Sequence, residues 1–162
     1  MEFEKAYNCI IMHRYKTAYT IFSGLYNNEQ DNSSYLNGCI VSLVLMGNTN
    51  ELYYFIKKES GSSKRPACLN LIAEKIQNHI KPEIIAFEKL SIFNLFISII
   101  EALRRGGFTD DTDIFVRTAM LLKPNNPLLY RYLAEKALKS GSIEKGCSYI
   151  TKAAELWITS VH

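Results

Sequence analysis

At 162 residues the chain has the length of one compact domain or one short solenoid, and 48% hydrophobic against 22% charged residues excludes intrinsic disorder, collagen-like sequence and a low-complexity tail. Four Val beside 17 Leu and 18 Ile favour helix over sheet. A net charge of +3 is too slight for the dense basic patch that a nucleic-acid partner demands.

The opening Met1-Glu2-Phe3-Glu4-Lys5 is acidic where a secretory leader is basic, and the apolar run from Cys9 to Met12 is too short for a leader's core. A cytoplasmic location is expected. Cys9 and His13 share one helix face four residues apart. Two ligands do not make a zinc site, and Cys9 reads better as a small core side chain. Cys39, Cys68 and Cys147 form no CxxC pair either, so all four cysteines are read as buried apolar groups and no metal or cofactor is expected.

Tyr15, Ala18, Phe22 and Leu25 keep helical spacing, and Leu36, Cys39, Ile40, Leu43, Leu52 and Ile56 flank a helix end at Gly47. The polar segment Glu59 to Arg65 is a connector, and Pro66 is placed to open a helix running through Leu69, Ile72, Ala73 and Ile76. Lys81-Pro82 breaks that pattern, and Glu83 to Arg105 reads as one long helix or a kinked pair. Its most apolar part, Leu90 to Ile100, holds 11 residues, well short of the roughly 20 that span a bilayer. Gly106-Gly107 ends it. Three carboxylates in Thr109-Asp110-Asp111-Thr112-Asp113 lack the Gly and closing Glu of a calcium loop, and suit the start of the next helix.

The last segment is the most regular. From Asn126-Pro127 onward, Tyr130, Leu133, Ala134, Ala137, Gly141, Ile143, Gly146, Ile150 and Ala153 fall at offsets of 3, 1, 3, 4, 2, 3, 4 and 3. This resembles the tetratricopeptide repeat, in which two antiparallel helices pack closely enough to require small residues where their backbones meet. About one repeat length earlier, Leu95, Ile99, Ala102, Gly106, Phe108 and Phe115 form a second, looser copy. The resemblance implies an all-α, TPR-like superhelix of antiparallel helix pairs with about eight or nine helices. We expect one domain over residues 1–162, with two repeats in 1–58, an irregular connector and helices in 59–91, and two repeats in 92–162.

In such repeats the first helix of each pair lines a concave face. By repeat position this face carries Tyr7, Ile10, Asn37, Val41, Val44, Phe96, Ile100, Leu103, Arg131, Glu135 and Leu138. The face is mainly apolar, which suits an extended or helical segment of a protein partner. Phe3 and Tyr7 stand where a carboxylate clamp for chaperone C-termini would place Lys and Asn, so that clamp is not expected. The competing reading makes these side chains shared core between tightly wound repeats.

No phosphate-binding glycine loop or paired catalytic carboxylates occur, and the chain is read as a noncatalytic protein-binding module rather than an enzyme. Arg14-Tyr15-Lys16-Thr17-Ala18 through Phe22, Tyr35-Leu36-Asn37-Gly38-Cys39 with Met46-Gly47, and Leu133-Ala134-Glu135 with Leu138-Lys139-Ser140-Gly141 are similar to bacterial type III secretion chaperones. That similarity implies a cytosolic chaperone or assembly factor. The alternative is a helical-repeat regulator that controls transcription or virulence through protein contacts. Leu156, Trp157 and Val161 follow the last repeat with no separate polar cap, so this end is expected to form a homodimer or an obligate heterocomplex.

Overall fold

A computed structural model of the chain describes residues 2–60, 68–79 and 89–161. Those residues form nine α-helices and one short 3₁₀ turn, with no strand among them. The helices are α1 (Glu2–Ile11), α2 (Tyr15–Asn28), α3 (Ser33–Met46), α4 (Thr49–Ser60), α5 (Cys68–His79), α6 (Lys89–Arg105), α7 (Asp113–Leu122), α8 (Pro127–Lys139) and α9 (Ile143–Val161). The 3₁₀ turn is Thr109–Thr112, directly before α7. The fold is therefore all-α and TPR-like, with helix pairs such as α1/α2 and α8/α9 joined by short turns among the described residues. Pro66 and Lys81-Pro82, expected to open and break helices, lie outside the described residues.

The chain divides into two compact units, Met1–Phe115 and Val116–His162. The boundary falls inside α7.

Local chemistry explains the helix ends. Asn32 caps α3, its side-chain oxygen accepting from the backbone N–H of Ser34 at 3.0 Å and of Tyr35 at 3.3 Å. Asn126 caps α8 through the Leu128 N–H at 3.0 Å, with Pro127 in the first turn, where a missing N–H costs nothing. Gly47 and Gly141 end α3 and the α8 turn at φ of 72° and 83°. After α6 the left-handed residue is Gly107, at φ 86°, and not Gly106 as the repeat spacing suggests. A Cβ on Gly106 would sit 2.6 Å from Leu71 Cδ1, so a larger residue there would displace that side chain of α5.

The turn from α1 to α2 solves the same problem without glycine. His13, the residue one repeat length before Gly47, takes φ 60°, and its Nδ1 lies 2.7 Å from the Tyr15 hydroxyl. A left-handed residue with a Cβ carries a cost of roughly 1–2 kcal/mol, part of which the ring contact offsets. His13→Gly is expected to raise stability by about 0.5–1 kcal/mol in urea titration, glycine's larger unfolded-state entropy removing the remainder. A lower midpoint would mean that the His13–Tyr15 contact outweighs the strain.

The core of the N-terminal unit centres on α3. Every residue from Leu36 to Val44 is buried, because α3 packs on α1, α2, α4 and the 3₁₀ turn. Gly38 lies against the Phe22 ring of α2, and Phe3 meets the same ring edge-on at 5.4 Å. Tyr26 donates its O–H to Glu59 Oε2 at 2.5 Å, fastening α2 to α4. In the C-terminal unit α8 and α9 form one tight hairpin, with Gly146 against Leu138 and the Tyr130 and Tyr149 rings 6.4 Å apart.

Candidate functional site

The expected concave face does not exist as an open surface over the N-terminal unit. Tyr7, Ile10, Asn37, Val41, Val44, Phe96, Ile100 and Leu103 are each at most 2% exposed. The physical reason is the number of neighbours. The α3 face that an open solenoid would present to a ligand is covered by α1 and by the 3₁₀ turn, and α6 packs on α5 and on that same turn. Phe96 stacks obliquely on Phe115 at 5.9 Å. These side chains are shared core.

The acidic run before α7 is part of that covering. Ser33 Oγ donates to Asp111 Oδ1, and Asn37 Nδ2 donates to the Asp111 backbone oxygen at 3.2 Å. Asp111 therefore holds the turn onto α3, a role that a reading of local spacing misses because the partners lie 78 and 74 residues away. Among the described residues no group of three or more His, Cys, Asp and Glu could hold a metal ion. Burial, followed by the charge of Glu59, pushes the Cys39 thiol up to about 12, so it stays protonated and unreactive at neutral pH. Cys147, by contrast, is exposed.

The three remaining groove candidates belong to the other unit and lie at its surface. Arg131 Nε is 3.5 Å from Glu135 Oε1 in an exposed pair of the kind that adds little stability. Leu138 is 42% exposed while still covering Gly146.

The C-terminal hairpin does carry a concavity. At 19 residues α9 is six longer than the 13-residue α8, so it runs about 9 Å past the start of its partner helix. In the angle so formed lies a groove of about 740 Å³, lined by Asn126, Pro127, Leu128, Arg131, Ile150, Ala153, Ala154 and Trp157. Its walls are mostly apolar. Trp157 is 64% exposed and Ile150 49%. The structure thus brings Arg131 of the expected groove together with Trp157 of the expected interface. Leu156 turns partly inward, and the side chain of Val161 lies outside the described residues. A second concavity of about 490 Å³, between α5 and α6, has Leu71 and Ile97 in its lining but is otherwise dominated by Glu74, Lys75, Glu101 and Arg105, charges of both signs. Apolar docking therefore favours the α8/α9 groove.

None of the described helices is long and apolar enough to cross a membrane. No family model matches the chain, and no curated protein matches it. Two solved structures of MamA align with it over nearly the full length. One, described as MamA MSR-1 C2, has a TM-score of 0.39 and 17% identity, covering 97% of this chain and 95% of that one. The other has a TM-score of 0.38 and 13% identity, covering 96% of each chain. Likeness at that level carries no weight for function, and the fold assignment rests on the chain's own helix pairs.

Proposed function

We propose that this chain is a noncatalytic protein-binding module that docks an apolar segment of a protein partner in the α8/α9 groove. The observation that carries the reading is the concentration of exposed apolar side chains along one hairpin, with Ile150 and Trp157 beside a mostly apolar concavity. A large exposed aromatic in such a patch is a common anchor of an interface.

A cytosolic chaperone or assembly factor of a type III secretion system is the narrower form of the same proposal, supported by the stretches from Arg14, Tyr35 and Leu133. In that form the partner segment occupies the C-terminal hairpin, since the inner face of the N-terminal unit is filled by its own side chains.

The test is capture of partners from the native host's lysate by the full chain, compared with Leu128→Glu and Ile150→Glu. A carboxylate facing the groove is expected to reduce capture at least about tenfold while leaving the far-ultraviolet spectrum unchanged. Undiminished capture by both folded variants would exclude this groove.

A further inference from the structure

Helix α9 carries two apolar stripes where a surface hairpin needs one. The inner stripe, Gly146, Tyr149, Ala153 and Leu156, is buried or half-buried in the hairpin. The second, Ile143, Cys147, Ile150, Ala154 and Trp157, lies at alternating steps of four and three, and every member is exposed. Such steps lay the five side chains in one continuous row along the helix, the geometry by which two helices pair. A third, polar face made of Lys145, Ser148, Lys152, Glu155 and Thr159 separates the two on the far side.

We propose that the exposed seam of α9 pairs with the same seam of a second copy of this chain, the two helices running antiparallel. The inference deepens the docking reading and rests on it, because Ile150, Ala154 and Trp157 also line the groove.

Side-chain size selects the occupant and its direction. One row of the seam is bulky (Ile143, Ile150, Trp157) and the other is small (Cys147, Ala154). In an antiparallel pair the bulky row of one helix faces the small row of the other. Centred on residue 152, Trp157 meets Cys147 of the second copy and Ile150 meets its Ala154, and two-fold symmetry repeats both contacts. A parallel pair would instead set Trp157 against Trp157 and Ala154 against Ala154, one layer overfilled and the next empty.

Charge allows the pairing as well. The seam contains no ionisable side chain except the Cys147 thiol, and beside it Thr151 faces Thr151 while Glu144 faces Ile158, so no like charges oppose. Thr151 already donates its hydroxyl to the Cys147 backbone oxygen at 2.9 Å, which lowers the cost of covering it. Lys145 and Lys152 point away from the seam. The stripe is therefore self-complementary in size and opposed by no like charge along α9, as a two-fold interface requires.

Sedimentation velocity of the full chain across micromolar to submillimolar concentration tests the pairing, followed by mild oxidation and mapping of disulfide-linked peptides. A concentration-dependent dimer is expected, with its dissociation constant raised at least about tenfold by Ile150→Glu and by Ala154→Lys in folded protein. Oxidation is expected to leave the Cys147 thiols unlinked to each other. In the antiparallel register they stand ten residues apart, about 15 Å along the axis and beyond disulfide reach.

A chain that stays monomeric, a dimer indifferent to both folded variants, or a Cys147–Cys147 disulfide would each overturn the proposal. A monomer whose Ile150→Glu variant still loses a host partner would overturn only the identity of the occupant and leave the docking reading standing. A seam-dependent dimer that captures host proteins equally well with and without Leu128→Glu would support self-pairing and exclude a groove for other partners.

Discussion

Phe96→Glu is expected to unfold the N-terminal unit. Phe96 is fully buried on α6 against Phe115, and truncation of a core phenylalanine alone costs about 3–5 kcal/mol. A carboxylate there adds the penalty of an unpaired buried charge, and the sum approaches the whole stability of a typical domain, about 5–15 kcal/mol. Circular dichroism during urea titration should show loss of the cooperative transition or a collapse of its midpoint. A variant that stays folded with a midpoint near wild type would place Phe96 on an accessible face, in conflict with the packing of α6 on α5 and the 3₁₀ turn.

Gly38→Ala is expected to destabilise by about 1–3 kcal/mol, the usual cost of overfilling a close-packed core. The added methyl would lie 2.6 Å from Phe22 Cγ and Cε1, and that ring, itself fully buried and in contact with Phe3, has nowhere to move. Gly24 on α2 is the control, with open space for at least 4 Å around the place a side chain would take. There the same exchange removes a poor helix former from an exposed site, and stability is expected to rise by about 0.5–1 kcal/mol. Opposite signs in one urea series would separate close helix approach from helix propensity. A neutral Gly38→Ala would mean that α2 and α3 part easily.

The helical class and most turn positions were legible because they are written in local spacing. Apolar positions at three and four, Gly47 and Gly141 at left-handed turns, and Asn126-Pro127 at a helix start all act within a few residues of themselves. Whether a face is open or filled depends on elements far away in the chain, which is why Tyr7, Val41 and Phe96 fitted a groove by repeat position and proved to be core. One local hint pointed the other way. From Leu36 to Val44 only Asn37 and Ser42 are polar, and a helix apolar nearly all round is a buried helix. Trp157 was legible as a surface anchor through its place beyond the last repeat. The groove beside it was not, because it depends on the unequal lengths of α8 and α9.

The hydrogen bonds from Ser33 and Asn37 to Asp111 have a kinetic meaning. They close rings of 78 and 74 residues, whereas the α8/α9 hairpin joins across a three-residue turn. Ring closure grows costlier with length, and contacts of short sequence separation form first. When the full chain refolds, the hairpin is therefore expected to form before the Asp111 tie. Until that latch is set, α3 lacks part of its cover, and the most hydrophobic helix of the N-terminal unit is the one the nascent chain leaves longest at risk of aggregation.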